Sequence, residues 1–438
     1  KRQGFPPIYD LAFTFLHNSR MDLTSPEYAA NLDRTDELAS FRERFVIDDP
    51  DLIYLDGNSL GRMPKRAKEI LCEVAPVEWG GELVRNWGEW FQLPNRLGAK
   101  IARLIGAEED EVVCCDSTSV NLFKLVTAAL DYQKGRTEIL TDDLNFPSDL
   151  YVMQGCARLT GAVVTVAQSQ DGVHADVDAL EQAIGPQTAL TSITHVAFKS
   201  GYMHDLKRLT DAAHQAGALA LWDLSHSVGA VPVDLDGAGA DLAVGCTYKY
   251  LNGGPGSPAF LYVRRDLQEK LLSPIWGWFG ERKPFDFRLE YEPAAGLQRF
   301  FAGTPPILSM SAVDAGVDLV LEAGMDRLRA KSLKQTEYLI QLYDALLAPL
   351  GVSLNTPRDP KVRGSHVSFG HADGLRVDRA LIEQMNVIPD FRAPDSIRFG
   401  VTPLYTTFSE LREGVVRMAE VIEKKSYESF AVEELAVT

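Results

Sequence analysis

The chain has no long apolar run, although 45% of its 438 residues are apolar. A helix needs roughly 18–20 consecutive apolar residues to cross a bilayer, and no stretch approaches that length. The first residues, 1–7, also lack the apolar core of a signal peptide. We therefore expect a cytoplasmic protein with no membrane partner, long enough to form two domains with sizeable cores.

Cysteines are few, and their number is odd: they stand at positions 72, 114, 115, 156 and 246. Two of them are adjacent, which suits neither a disulfide nor a zinc site, and none has metal-type spacing. Buried free thiols in a reducing compartment, with no bound metal, are the expectation.

An excess of positive charge is also missing, since 61 acidic residues outnumber 44 basic ones and give a net charge of −17. That balance argues against nucleic acid or an anionic membrane as a partner. Neither terminus offers a basic helix-turn-helix. No Gly-x-Gly-x-x-Gly follows the first predicted strand, which disfavours a dinucleotide enzyme.

Between residues 55 and about 305, short runs rich in β-branched or apolar residues alternate with helical patterns. The predicted strands are 111–115, 137–141, 162–166, 189–194, 218–223 and 241–246. Such alternation is typical of a mostly parallel sheet covered by helices on both faces. After a Gly-Thr-Pro-Pro break at 303–306, residues 307 to about 350 predict two long amphipathic helices, followed by a smaller α/β domain.

Lys249 follows the strand predicted at 241–246, and Asp223 ends the strand predicted at 218–223. Both therefore fall at the carboxyl ends of parallel strands, where such sheets place their sites. A lone lysine in a loop rich in Gly and Pro is more often a solvated residue. With a strand-end carboxylate beside it, it makes the arrangement that a pyridoxal phosphate (PLP) enzyme needs. The lysine forms the Schiff base and the aspartate pairs with the pyridinium nitrogen.

Two further segments suit a phosphorylated aromatic cofactor. Thr118 and Ser119 open a predicted helix after a strand, and a helix N-terminus with hydroxyl side chains can bind phosphate. An ordinary N-cap gives the same pattern. Phe146 could stack on a cofactor ring, or it could be a core aromatic.

From about residue 50 to about 420 the chain resembles the kynureninase family, in its bacterial form. The matching segments are LDGNSLG (55–61), DSTSVNL (116–122), NFPSD (145–149), WDLSHS (222–227), CTYKYLNGGPG (246–256), GWFG (277–280), GTPP (303–306) and RFGVTPLY (398–405). The family consists of PLP-dependent hydrolases that split kynurenine into anthranilate and alanine. The resemblance implies the aspartate-aminotransferase fold (fold type I), with a seven-stranded sheet in the large domain.

The resemblance also implies roles for individual residues. Lys249, Tyr248 and Asp223 would be catalytic, and Arg398 would grip the substrate α-carboxylate. Trp87, Asn58 and Phe198 would lie near the substrate. The residues expected to contact PLP are Thr118, Ser119, Phe146, Pro147, Ser148, Asp149, Thr194, Asp223, His226, Tyr248 and Lys249, with Trp278 and Thr304 reaching the cofactor from the second subunit of a homodimer.

The expected domains are an N-terminal arm (1–54) that packs with the small domain, a large PLP-binding domain (55–305) and a small C-terminal domain (306–438).

Departures from the bacterial pattern are a shorter loop after Trp87, Ala197-Phe198 in place of Asn-Tyr, and Glu281 in place of His. They leave open whether kynurenine, 3-hydroxykynurenine or another ring-substituted relative is the substrate, and whether the pathway is tryptophan catabolism or NAD biosynthesis.

Two alternatives share the cofactor. A cysteine desulfurase or aminotransferase of the same fold is one, but a desulfurase needs a mobile cysteine on a late loop, and the last cysteine, Cys246, lies beside the lysine strand. A PLP-sensing regulator is the other, and it would need the DNA-binding segment that neither terminus offers.

Overall fold

The computed structural model describes residues 22–431. Its strands are β1 (Ile53–Tyr54), β2 (Val112–Cys114), β3 (Glu138–Asp142), β4 (Val163–Ala167), β5 (Thr188–Thr194), β6 (Leu219–Asp223), β7 (Leu242–Gly245), β8 (Phe260–Val263), β9 (Ser353–Leu354), β10 (His366–Gly370), β11 (Val387–Ile388), β12 (Asp390–Arg392) and β13 (Ser396–Gly400). Its α-helices are α1 (Pro26–Arg34), α2 (Lys65–Glu73), α3 (Trp87–Ile105), α4 (Thr118–Tyr132), α5 (Pro147–Thr160), α6 (Val177–Ala183), α7 (Leu206–Gln215), α8 (Leu235–Ala238), α9 (Arg265–Gln268), α10 (Ile307–Ala323), α11 (Met325–Leu342), α12 (Gly374–Met385) and α13 (Phe408–Glu423). None of these helices has the length and apolar character needed to cross a bilayer.

The larger sheet has seven strands in the order β2-β8-β7-β6-β5-β3-β4. Strands β7, β6, β5, β3 and β4 run parallel, whereas β8 is antiparallel to both of its neighbours. The predicted α/β fold with a mostly parallel sheet is confirmed. Strand β8 was not predicted, because its four residues follow the lysine loop so closely that no separate helical pattern marks its start.

Helices cover both faces of this sheet, which explains why its strands are apolar without alternation. On one face, α3 and α10 pack against Trp222 of β6, with Leu97, Val313 and Val317 fully buried. On the other face, α4 and α5 pack against β3, where Leu122 and Ile139 are buried. The sheet edge that carries the carboxyl ends of the parallel strands is left open between these layers.

The second sheet is antiparallel, in the order β12-β13-β10-β9. It shares a core cluster with α11, α12 and α13 and with Tyr28 of α1. The early chain is joined to this sheet region twice. Strand β1 pairs in parallel with β11, and the Asp33 carboxylate accepts hydrogen bonds from the backbone N–H groups of Phe408 and Ser409 at the start of α13.

Helix α10 follows the predicted domain boundary at residue 305, yet its apolar side chains lie in the cluster that contains Trp222. The division at 54 and 305 stays a prediction. Residues 1–21 of the predicted N-terminal arm and the last residues of the chain, 432–438, lie outside the described residues.

Candidate active site

A pocket of about 210 Å³ lies at the carboxyl ends of β5 and β6 and next to the loop that follows β7. It brings together segments that are far apart in the sequence, including the starts of α4 and α5 and strands of the smaller sheet. Its lining residues are Ser59, Thr118, Ser119, Phe146, Ser148, Asp149, Thr194, Phe198, Asp223, Ser225, His226, Tyr248, Lys249, Arg392 and Arg398.

The side chain of Lys249 points into this pocket. Its Nζ lies 2.8 Å from Nε2 of His226, 5.9 Å from the ring centroid of Phe146 and 6.0 Å from that of Tyr248. Burial and the positive charge of Lys249 hold the pKa of His226 well below its usual value. A neutral imidazole is therefore expected, with Nε2 accepting a hydrogen bond from the lysine ammonium.

The backbone around Lys249 is fixed from both sides. The Thr247 hydroxyl donates to the carbonyl oxygen of Pro258, at 2.6 Å. On the other side, the N–H of Gly61 donates to the carbonyl oxygen of Tyr248, at 2.8 Å. A Cβ on Gly61 would lie 2.3 Å from the carbonyl oxygen of Lys249, so only glycine permits this approach. The lysine is left with freedom in its side chain alone.

Two buried carboxyl groups line the pocket near Lys249. Asp223 ends β6, and its Oδ1 accepts hydrogen bonds from the N–H (2.9 Å) and hydroxyl (2.6 Å) of Ser225. Asp149 lies in the first turn of α5. Burial raises the pKa of Asp223, and burial together with the nearby charge of Asp223 raises the pKa of Asp149 well above its usual value. A cationic group bound between them would favour their ionised forms.

The N-termini of two helices meet at the pocket. Thr118 and Ser119 begin α4, and Ser148 is the second residue of α5; the hydroxyl oxygens of Ser119 and Ser148 are 3.2 Å apart. Backbone N–H groups and the dipoles at both helix starts favour an anion there, with the hydroxyls as further donors. Pro147 occupies the first position of α5, where its missing N–H costs nothing, and it does not line the pocket.

On the opposite side, Arg398 of β13 is almost completely buried and pairs with Asp390 of β12. Its Nε lies 2.6 Å from Oδ1 of Asp390, its Nη2 contacts Oδ2 of the same carboxylate, and its Nη1 donates to the carbonyl oxygen of Phe198. Burial alone would raise the pKa of Asp390, but the positive charges of Arg398 and Arg392 hold it well below its usual range.

Four polar residues at or beside this pocket were not predicted: Ser59, Ser225, Asp390 and Arg392. The Asp-Phe-Arg alternation at 390–392 was a usable signal, because residues two apart in a strand face the same side. Ser59 lies next to the predicted Asn58, and the backbone places the serine, not the asparagine, at the pocket.

Several predicted site residues lie elsewhere in a single protomer. Asn58 is fully buried and does not line the pocket, and its Oδ1 would be 1.9 Å from a Cβ on Gly400; its contact with substrate stays a prediction. Trp87 packs in an aromatic cluster with Trp278, at 6.0 Å between ring centroids, and does not line the pocket. Trp278 and Thr304 are exposed outside it.

Of the departures from the bacterial pattern, only Phe198 lines the pocket; its ring lies 5.2 Å from that of Phe146, edge to face. Ala197 is buried against Leu144 and Tyr202 instead. Glu281 pairs with Arg288 and accepts a hydrogen bond from the N–H of Glu292 outside the pocket.

Comparison with known proteins agrees with this geometry. The family model for class-V aminotransferases matches residues 90–387. The kynureninase of Pseudomonas fluorescens is 45% identical over 404 residues, which are 90% of this chain and 95% of that protein. Among solved structures, a cysteine desulfurase from Thermococcus onnurineus NA1 superposes with a TM-score of 0.75 at 21% identity, over 90% of this chain and 98% of the other.

A mutant of C-DES with glycine covalently linked to its PLP cofactor superposes with a TM-score of 0.74 at 20% identity, over 85% of this chain and 97% of the other. At these identities the solved structures show the fold alone. The identity to the Pseudomonas protein, in contrast, extends over nearly the whole of both chains. The chain therefore belongs to the kynureninase family, within the class-V aminotransferases.

Proposed function

We propose that this chain is a PLP-dependent hydrolase that cleaves the Cβ–Cγ bond of L-kynurenine, or of a ring-substituted kynurenine, to an anthranilate and L-alanine. The observation that carries the proposal is the 45% identity to a kynureninase over almost the full length of both proteins. The pocket supports it, because Lys249 and Asp223 converge there from the ends of two neighbouring strands.

The residues present fit PLP. A lysine amine, a buried carboxylate and a pair of helix N-termini stand in one pocket, and they match the aldehyde, ring nitrogen and phosphate of that cofactor. Lys249 would hold PLP covalently, Asp223 would face its ring nitrogen, and Thr118, Ser119 and Ser148 would hold its phosphate. Phe146 offers a ring for stacking. The bound cofactor would supply an aldehyde for the substrate amine and a ring that takes up negative charge from Cα.

The chain's own groups then divide the proton transfers. The Lys249 amine takes the proton from Cα, and neutral His226 is positioned to accept a hydrogen bond from it at 2.8 Å. The neighbouring Cys246 and burial both raise the pKa of Tyr248. Its phenol therefore keeps its proton at neutral pH, and we assign it the role of proton donor to Cβ, which becomes the methyl group of alanine.

The binding of the substrate carboxylate is assigned to Arg398, whose planar guanidinium suits a carboxylate better than a lysine would. Burial lowers the pKa of Arg398, but the charge of Asp390 raises it by more. The net effect is a raised pKa, so this arginine stays charged. Hydrolysis consumes one water, whose oxygen leaves with the aryl carboxylate while a proton goes to Cβ.

A homodimer with shared active sites belongs to the same proposal. Exposed aromatic rings adjoin one another at Trp278, and we name Trp278, Phe285 and Phe287 the aromatic patch: the ring centroids of Trp278 and Phe285 are 6.2 Å apart, and those of Phe285 and Phe287 are 6.4 Å apart. Contiguous exposed apolar surface of this kind is typical of protein interfaces. A second copy of the chain on this patch would let Trp278 and Thr304 reach the partner's pocket.

A cytoplasmic location is proposed on the cysteines. All five are free, and four of them are buried. Unpaired thiols of this kind suit a reducing compartment.

The decisive assay incubates purified holoenzyme with L-kynurenine and follows the products by liquid chromatography and mass spectrometry. We expect equimolar anthranilate and alanine from the wild type and none from Lys249→Ala. Transamination products, or sulfur release from cysteine without kynurenine cleavage, would overturn the proposal in favour of an aminotransferase or a desulfurase.

A further inference from the structure

Arg392 shares one face of the smaller sheet with Asp390 and Arg398. Residues 390 and 392 are two apart on β12, and Asp390 stands directly opposite Arg398 in the antiparallel register. Nη2 of Arg392 lies 2.8 Å from Oδ2 of Asp390 and 3.3 Å from the hydroxyl of Ser59. The arginines therefore flank one carboxylate, and both line the pocket.

Arg398 has little capacity left for a substrate. Four contacts engage its guanidinium: two to Asp390, one to the carbonyl oxygen of Phe198, and one from Nη2 to the hydroxyl of Ser59 at 3.1 Å. A guanidinium has five N–H donors, so these contacts leave one. A substrate carboxylate has two oxygens that accept several hydrogen bonds, and one donor does not satisfy it.

Arg392 donates from Nη1 to the carbonyl oxygen of Phe391 at 2.8 Å, and it is the more exposed of the two arginines. Its side chain is 28% exposed, whereas that of Arg398 is 1% exposed, so Arg392 presents more of its surface to the pocket. The charges suit a bound carboxylate, because two guanidinium groups and one carboxylate leave a single positive charge. Asp56 and Asp378 lie nearby, but burial and the charge of Asp390 raise their pKa values, which reduces the negative charge that they place beside the arginines.

We propose that Arg392 binds the α-carboxylate of the amino-acid substrate together with Arg398, and that Asp390 holds the two guanidinium groups in position. The inference deepens the proposed function, on which it rests for the identity of the substrate. It assigns Asp390 a positioning role and Arg392 direct contact with substrate.

The first test compares Arg392→Gln and Arg392→Lys with Arg358→Gln, which removes an exposed arginine paired with Asp344. The substrate is L-kynurenine, and the competitor is kynurenamine, which lacks the α-carboxylate. Loss of one charged donor should raise the KM of Arg392→Gln for kynurenine about 10- to 100-fold and change the Ki of kynurenamine less than about threefold. Arg392→Lys keeps the charge without the planar fork and should fall between, while Arg358→Gln should match the wild type.

A KM within about twofold of the wild type in Arg392→Gln would overturn the proposal, since a lost ion pair costs more than that. So would a parallel rise in KM and in the Ki of kynurenamine, because the damage would then not be specific to the carboxylate. Circular dichroism melting checks the fold. If Arg392→Gln does not fold, the KM of Arg392→Lys decides: an increase supports the proposal and an unchanged value overturns it.

A second readout does not depend on turnover. Calorimetry measures the binding of L-alanine and of ethylamine, the same molecule without its carboxylate, to holoenzyme. We expect Arg392→Gln to lose the preference for L-alanine that the wild type shows, and retention of that preference counts against Arg392. If kynurenine is not cleaved but this preference is lost, the proposed function fails and Arg392 stands. If the wild type and Arg392→Gln cleave kynurenine equally well, the proposed function stands and the role of Arg392 is overturned.

Discussion

Lys249 is held through its backbone by Thr247 on one side and Gly61 on the other, which leaves its Nζ as the reactive end. Borohydride reduction of the holoenzyme followed by peptide mass mapping should place the pyridoxyl group on Lys249. Lys124 is the matched internal control, because it is fully buried but paired with Asp116. Label on Lys124, or on any lysine other than Lys249, would contradict the assigned chemistry.

Asp378 of α12 offers a test at one buried side chain. Neither of its carboxylate oxygens has a hydrogen-bond partner in residues 22–431, and burial followed by the charge of Asp390 raises its pKa from 3.8 to about 7. Between those pH values the unfolded chain loses this proton and the folded protein keeps it. Folding stability from this group is therefore lost as pH rises through that window.

Asp378→Asn removes the titration, so its gain in stability over the wild type should be larger at pH 8 than at pH 5. We expect a difference of roughly 1–3 kcal/mol in the free energy of unfolding. Denaturant titrations at both pH values measure it. Glu383→Gln, on the exposed side of the same helix, should show no such pH dependence. An equal effect of Asp378→Asn at both pH values would refute the assignment.

Phe198 bears on substrate choice, because its ring and that of Phe146 form an apolar side of the pocket. Apolar room is worth about 1–3 kcal/mol per methylene-sized group, and an apolar pocket rejects an added hydroxyl only weakly. We therefore expect kcat/KM for a 3-hydroxy or methylated kynurenine to equal or exceed that for kynurenine. Phe198→Tyr should shift the ratio, and Phe430→Tyr, which lies beside Arg379 and outside the pocket, should not.

The expected divergence in substrate choice is wrong if kcat/KM for kynurenine is at least about tenfold higher than for its 3-hydroxy and methylated relatives and Phe198→Tyr leaves that ratio unchanged. A residue that contacts the substrate in the pocket should alter the ratio of kcat/KM values. Ala197 gives no comparable test, because it is buried against Leu144 and Tyr202 and a larger side chain would disturb that packing.

Among the elements, the segment from β1 to α2 decides how the lysine loop is seated. Gly61→Ala would place a Cβ 2.3 Å from the carbonyl oxygen of Lys249 and 2.4 Å from the side-chain oxygen of Asn252, so the loop must move. Because positions 1 Å off can cost about 100-fold in rate, we expect kcat to fall at least tenfold and PLP affinity to weaken. Visible absorbance during dialysis and steady-state rates measure the two effects.

Gly88→Ala, in the first turn of α3, is the control, since nothing lies within 4 Å of a Cβ at that position. Unchanged kinetics in Gly61→Ala would show that the lysine loop tolerates displacement, which would weaken the role given to its backbone contacts.

The elements also show what the sequence can and cannot predict. Asp223 and Lys249 were predictable, because each follows an apolar strand and the carboxyl ends of parallel strands meet at one edge. The Asp-Phe-Arg alternation indicates that Arg392 and Asp390 share one face of a strand, but it does not predict what they meet. The contacts of Ser59 and Arg392 with this site depend on an antiparallel register within the smaller sheet and on an approach between residues 339 positions apart, which no local pattern encodes. Ser59 lines the pocket and its neighbour Asn58 does not, a difference of one residue that the sequence pattern does not resolve.

For the whole molecule, a shared site predicts complementation between inactive chains. Mixing Lys249→Ala with Trp278→Ala should restore activity, because a hybrid dimer would contain one site free of both substitutions. The expected recovery is about a quarter of wild-type activity for random exchange of subunits. Light scattering measures whether the chains are dimeric, and Lys249→Ala mixed with Lys249→Ala is the control. Exchange of subunits without recovery would refute the shared site.

The joining of the first described residues to the last has a consequence for synthesis on the ribosome. Asp33 binds the start of α13 over a separation of 375 residues, and β1 cannot pair until β11 has emerged. Contacts that distant form late and slowly. The segment that seats Lys249 therefore stays unanchored at β1 until nearly the entire chain has been translated. A chain terminated between residues 400 and 407 would carry every residue that lines the pocket and still lack the helix that Asp33 binds.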